Sequence, residues 1–140
     1  MGLSIKRLLP SYPVPVGLVV GTLLIPAHLI LPPTLSYTLA AVTLVAIALI
    51  YVGFALRDGR RGALIIEIIG ASVFCAAALL GLYGFPYVIP IAIMAHAGWD
   101  ILHHNFPVGA RVPSWYIPFC AIVDVVAGGG LLILYAYGAV

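Results

Sequence analysis

Apolar residues fill five long runs along this chain, at residues 14–31, 34–56, 62–83, 87–104 and 114–138. Polar or helix-breaking residues fall between them: Pro32-Pro33, then Arg57-Asp58-Gly59-Arg60-Arg61, then Gly84-Phe85-Pro86, then a Pro/Gly loop over residues 105–113. A helix that crosses a membrane needs roughly 20 mostly apolar residues. The pattern predicts an all-α polytopic membrane bundle of five transmembrane helices, forming a single transmembrane domain over residues 1–140. Pro13 and Pro15 mark the entry to the first span. Pro26, inside that span, is expected to kink it and free a backbone carbonyl, which the neighbouring His28 would satisfy. The second span is the plainest of the five. The third is rich in Gly and Ala, which lets neighbouring helices come close. Gly128-Gly129-Gly130 is a close-packing or flexible point in the fifth, and Trp115 and Tyr116 suit an interfacial aromatic belt.

Composition leads to the same conclusion. The chain is 64% hydrophobic and 7% charged, against about 25% charged for a soluble domain. Such a chain cannot cover a water-facing surface, and no soluble domain fits beside the spans. Lys6 and Arg7 ahead of an apolar run mimic a secretion signal. No small-residue cleavage site follows, so an uncleaved first span is expected. Cys75 and Cys120 both lie in apolar runs, which argues against a disulfide framework, and Cys75 reads as a small packed residue.

Charge sets the expected orientation. With five spans, Lys6, Arg7, Arg57, Arg60, Arg61 and Arg111 all fall on one side of the membrane. The opposite turns carry no basic residue. By the positive-inside rule the N-terminus is cytoplasmic and the C-terminus outside, in a multi-pass protein of the cell membrane. The net charge of +2 is thus a topology signal, and basic-aromatic interleaving that would suit nucleic acid is absent.

Three of the four acidic residues, Glu67, Asp100 and Asp124, fall inside predicted spans, where Lys and Arg are absent. An intramembrane charge costs at least about 2.5–3.5 kcal/mol at the helix centre, so it requires a partner or a function. The available partners are histidines, metals, protons or hydroxyls. His96, Asp100 and His103 follow i, i+4, i+7 spacing and share one helix face, with His104 offset to the flank. Cys120 and Asp124 share a face of the fifth span. At about 1.5 Å of rise per residue, all these groups lie in the cytoplasmic half. Mixed imidazole and carboxylate ligands suit zinc, iron or manganese. The expected site is therefore a divalent metal centre of His96, Asp100, His103, His104 and Asp124, with Asp100 and Glu67 as catalytic proton carriers. For each there is a plainer role. His103 and His104 cap a helix C-terminus, His96 is a neutral histidine hydrogen-bonded to Asp124 or a backbone carbonyl, Glu67 and Asp124 are protonated carboxyls bonded to a neighbouring helix, and Trp99 is a packing or interfacial residue.

Other chemistries find no support. There is no phosphate loop, no serine elbow and no intramembrane Lys for a Schiff base. The four histidines are about half of what the membrane desaturase pattern uses.

The stretch His96-Ala97-Gly98-Trp99-Asp100-Ile101-Leu102-His103-His104, followed by Cys120-Ala121-Ile122-Val123-Asp124, resembles a bacterial family of small integral membrane proteins of unknown function. That family carries an H-x-G-W-D-x-x-H-H signature followed by C-A-x-x-D. The match covers about the last 50 residues. The resemblance implies a second Cys just before the Asp, where this chain has Val123, so Cys120 is the only thiol candidate. It brings no established activity.

The expected function is a metal-dependent membrane enzyme acting on a lipid or other apolar substrate, by hydrolysis or oxidation. The alternatives are a metal or proton transporter, and a structural subunit joined by polar helix contacts. The expected partners are the bilayer and an apolar small molecule, and a bundle this small is compatible with a homo-oligomer.

Overall fold

The computed structural model describes residues 9–105 and 108–138. It is an all-helical bundle with no strand among those residues. Five helices lie wholly within the described residues: α1 (Pro13–Ile30), α2 (Pro33–Asp58), α3 (Arg61–Tyr83), α4 (Val88–Asn105) and α5 (Tyr116–Ala136). Four of them, α1, α2, α3 and α5, are long and apolar enough to cross a membrane. The fourth helix, α4, is as long as α1 at 18 residues. Its His96, Asp100, His103 and His104 reduce its hydropathy, and this sets it apart.

The helix boundaries follow from the residues at the breaks. Proline at the first positions of α1 and α2 starts a helix where no amide donor is needed. Gly59 ends α2 with φ of 77°, in the left-handed cap conformation that glycine adopts without strain. Pro26 lies within α1, which runs on as one helix to Ile30. His28 does not serve the backbone there. Its Nδ1 pairs with the Ser36 hydroxyl of α2 at 2.8 Å.

Packing relies on small residues, as it must where lipid supplies no hydrophobic drive between helices. Ala40, Leu44, Ala48, Tyr51 and Ala55 make one buried stripe on α2, and Ala63, Glu67, Ala71, Phe74 and Ala78 make another on α3. The α2–α3 hairpin lies against α4, α4 packs closely on α5, and α1 covers the far side of α5 while barely touching α2. Gly17 and Gly21 form the buried face of α1 toward α5.

The α2–α3 and α4–α5 connections meet at one end of the bundle. Arg60 bonds both Asp58 and the Gly109 carbonyl, at 3.0 Å for the latter, and the Arg111 amide donates to Asp58 at 3.1 Å. Arg60 and Arg111 therefore sit at the same end. Lys6 and Arg7 lie outside the described residues.

Candidate metal centre

Two buried polar clusters lie side by side toward that end. The first is built by α4 and α5. His96 and Asp100 are one turn apart on α4, and Cys120 and Asp124 are one turn apart on α5. All four are buried, and each can offer one donor atom such that the four atoms lie within 4.8 Å of one another. The helices can approach because Gly128 faces the Pro90 carbonyl and Met94 of α4 at a distance that no side chain would fit. His96 Nδ1 and Asp124 Oδ2 are 2.8 Å apart, and His96 Nδ1 lies 3.7 Å from Asp100 Oδ1. The Cys120 thiol is 3.9 Å from Asp124 Oδ2.

The second helix, which looks plainest in sequence, completes this cluster. The Tyr51 hydroxyl donates to Asp100 Oδ1 at 2.5 Å. The His96 ring lies between the rings of Tyr51 and Phe74, with centroids 5.4 and 4.9 Å away. Two side-chain atoms of the cluster, His96 Nε2 and Asp100 Oδ2, are buried with no hydrogen-bond partner among the described residues. Both are atoms of metal-ligating type. His96 Nδ1 is the ring nitrogen that faces both carboxylates, so it is the imidazole atom placed to share an ion with Asp100 and Asp124. The donor set fits a metal, and this buried group could hold an ion.

The second cluster surrounds Glu67. His103 Nδ1–H donates to the Trp99 carbonyl at 2.8 Å, and His103 Nε2 meets Glu67 Oε1 at 2.7 Å. The Ala110 amide donates to the same oxygen at 2.7 Å, and the Trp99 indole N–H to Oε2 at 3.2 Å. Glu67 thus collects three partners. The Asp58–Arg60–Arg111 contacts hold the 109–111 loop over it from outside.

The structure brings three of the expected ligands together, His96, Asp100 and Asp124, and joins Cys120 and Tyr51 to them. His103 stays apart from the four-residue group because both its nitrogens are committed to Trp99 and Glu67. His104 is exposed on the flank of α4. Glu67 does not reach the centre either; α3 sends its carboxylate to His103, and Tyr51 supplies the third-helix contact. The two clusters share a wall, since the Tyr51 ring lies 4.7 Å from that of His103. Cys120 was legible as a thiol one turn from Asp124. A tyrosine in an apolar span sends no comparable signal.

Gly109 supports the second cluster. Its φ is 73°, and a Cβ there would collide with Glu67 Oε1 and His103 Nε2. Gly109→Ala is expected to lower stability by about 1–3 kcal/mol, read as a lower unfolding midpoint in detergent. An unchanged midpoint would show that the loop does not pack on Glu67.

No protein-family model, no curated protein and no solved structure matches this chain.

Proposed function

We propose that this chain is a five-span protein of the cell membrane, with its N-terminus in the cytoplasm, whose His96–Asp100–Cys120–Asp124 centre binds one divalent metal and acts on a lipid or other apolar substrate. The observation that carries this reading is the gathering of four buried ligand-type side chains, His96, Asp100, Cys120 and Asp124, whose donor atoms lie within 4.8 Å of one another. Two carboxylates and a thiol beside a single imidazole form a donor set suited to a cation. Among the described residues no Lys or Arg forms an ion pair with these four groups. Thiol and imidazole together favour zinc, and the carboxylates leave iron and manganese as the other candidates.

A metal held there supplies Lewis acidity and activation of water. The rest falls to the protein. Tyr51 fixes Asp100 through Oδ1, which leaves Oδ2 to take a proton from a reacting group. The 2.8 Å contact between His96 Nδ1 and Asp124 Oδ2 keeps the two side chains facing each other across the helix interface. Phe74 and the packed helices keep bulk water out. Glu67 and His103, screened from the centre by the Tyr51 ring, orient the helix that carries it. The family resemblance supports the residues and names no reaction.

Tyr51→Phe tests the centre without removing a ligand. Losing an outer-sphere hydrogen bond to a metal-bound carboxylate typically weakens metal affinity about 10–100-fold. Competition with a chromophoric chelator is expected to show that loss in a protein with normal helicity. An unchanged affinity would contradict the role given to Asp100.

A second reading is favoured by one feature, the series Glu67, His103, Tyr51 and Asp100, which runs from the loop end to the centre. In a metal or proton transporter that series is the cytoplasmic half of a path. Flux into liposomes separates the two: an enzyme shows none above the empty-vesicle rate, and a transporter shows flux that Asp100→Asn abolishes.

A further inference from the structure

At the other end of the bundle, α1 and α2 part and leave a cavity of about 100 Å³. Leu23, Leu24 and Leu39 line its mouth and are exposed on the outer surface of α1 and α2. Ile93 of α4 and Ala127 of α5 are among its inner wall residues. Each stands three residues, one helical turn, from a residue of the candidate centre: Ile93 from His96, and Ala127 from Asp124. The cavity therefore lies about one helical turn from the candidate centre on both α4 and α5.

Its wall carries two polar side chains, His28 and Thr43. Thr43 spends its hydroxyl proton on the Leu39 carbonyl, at 2.9 Å. His28 is bonded through Nδ1 to Ser36, itself fully buried. Its other nitrogen, Nε2, has no protein partner among the described residues. The lining residues of this otherwise apolar pocket thus include one imidazole nitrogen without a protein partner, beside a Thr43 oxygen that can only accept. If Ser36 donates to Nδ1, Nε2 is a donor; if Nδ1 donates to Ser36, Nε2 is an acceptor. A hydroxyl satisfies either tautomer, whereas a carbonyl satisfies one. Size narrows the class further. An apolar cavity of about 150 Å³ holds a benzene ring, so this smaller one admits the end of a single aliphatic chain and excludes fused rings.

We propose that the α1–α2 cleft binds the head of a long-chain aliphatic alcohol, with His28 Nε2 hydrogen-bonded to its hydroxyl. The inference names the substrate class of the centre and rests on the reading of that centre as one that acts on an apolar molecule.

The probe is hexadecanol with a photoreactive diazirine near the hydroxyl, added to the full chain in lipid nanodiscs, with labelled peptides mapped by mass spectrometry. Labels are expected to concentrate on residues 23–28 and 39–43, and His28→Leu is expected to reduce them about fivefold, the effect of losing one hydrogen bond. Leu39→Trp, which fills the mouth from the lipid side, should reduce them comparably and guards against a misfolded His28 variant. The matching alkane probe should label these residues no more than other lipid-facing ones. Labels spread evenly over the lipid-facing helices, indifference to both substitutions, or equal labelling by the alkane would each overturn the proposal. Failure of the centre reads differently: protein that binds no metal but labels as expected keeps the pocket, and protein that binds metal but does not label loses it.

Discussion

Glu67→Ala is expected to destabilise the folded bundle by about 3–5 kcal/mol, the range for removing one member of a buried pair. The loss comes from the partners left behind. Glu67 is 1% exposed, and its removal strands His103 Nε2, the Trp99 indole N–H and the Ala110 amide together. Each then sits in a low-dielectric interior with no water to replace the carboxylate. Glu67→Gln keeps an acceptor and most of the shape, so its effect should be about 1–3 kcal/mol. Adding His103→Phe to Glu67→Ala removes one of the stranded groups and should recover part of the loss. Reversible unfolding in mixed micelles measures all three. Equal, small effects for Ala and Gln would show that Glu67 holds neither the loop nor His103.

The second large effect belongs to the centre. In Asp100→Asn/Asp124→Asn the two carboxylates become amides of nearly the same shape, and the protein loses the negative charge that attracts a cation. Metal affinity is expected to fall by more than about 100-fold, beyond the range of a single outer-sphere change. The metal-free stability should stay level or rise, because isosteric replacement of buried charged groups is often neutral or stabilising. Chelator competition and thermal unfolding of the metal-stripped proteins read the two sides separately. Undiminished metal binding would place the ion elsewhere. A large loss of metal-free stability would show that the carboxylates are structural glue.

These effects depend on features of very different legibility. The helices were readable because lipid-spanning runs are long and their breaks are chemically plain: Pro32-Pro33, Gly59 and Gly84-Phe85-Pro86 each end a helix for a local reason. The two ligand pairs of the centre were readable for a similar cause, since i, i+4 spacing puts His96 over Asp100 and Cys120 over Asp124 whatever the helices do next. What helix spacing cannot show is which neighbour lies at a given depth. His103 shares a face with His96, but it lies further toward the loop end, level with Glu67, and is captured there. Tyr51 was invisible because a tyrosine in an apolar helix looks like packing until a carboxylate is found beside it. His28 looked like the servant of a proline kink, and only the α1–α2 turn brings Ser36 within reach. The 109–111 loop, carrying an amide to a buried acid, depends on ion pairs between two connections that are distant in sequence.

The central claim is that imidazole, thiol and two carboxylates are gathered around a shared divalent ion. Elemental analysis of the purified full chain, after equilibration with zinc, iron(II) or manganese and removal of the excess, tests it most directly. The account predicts about one tightly held metal per chain, as four ligand-type side chains require. The opposite result would be folded, monodisperse protein that retains less than about a tenth of an equivalent of every metal offered.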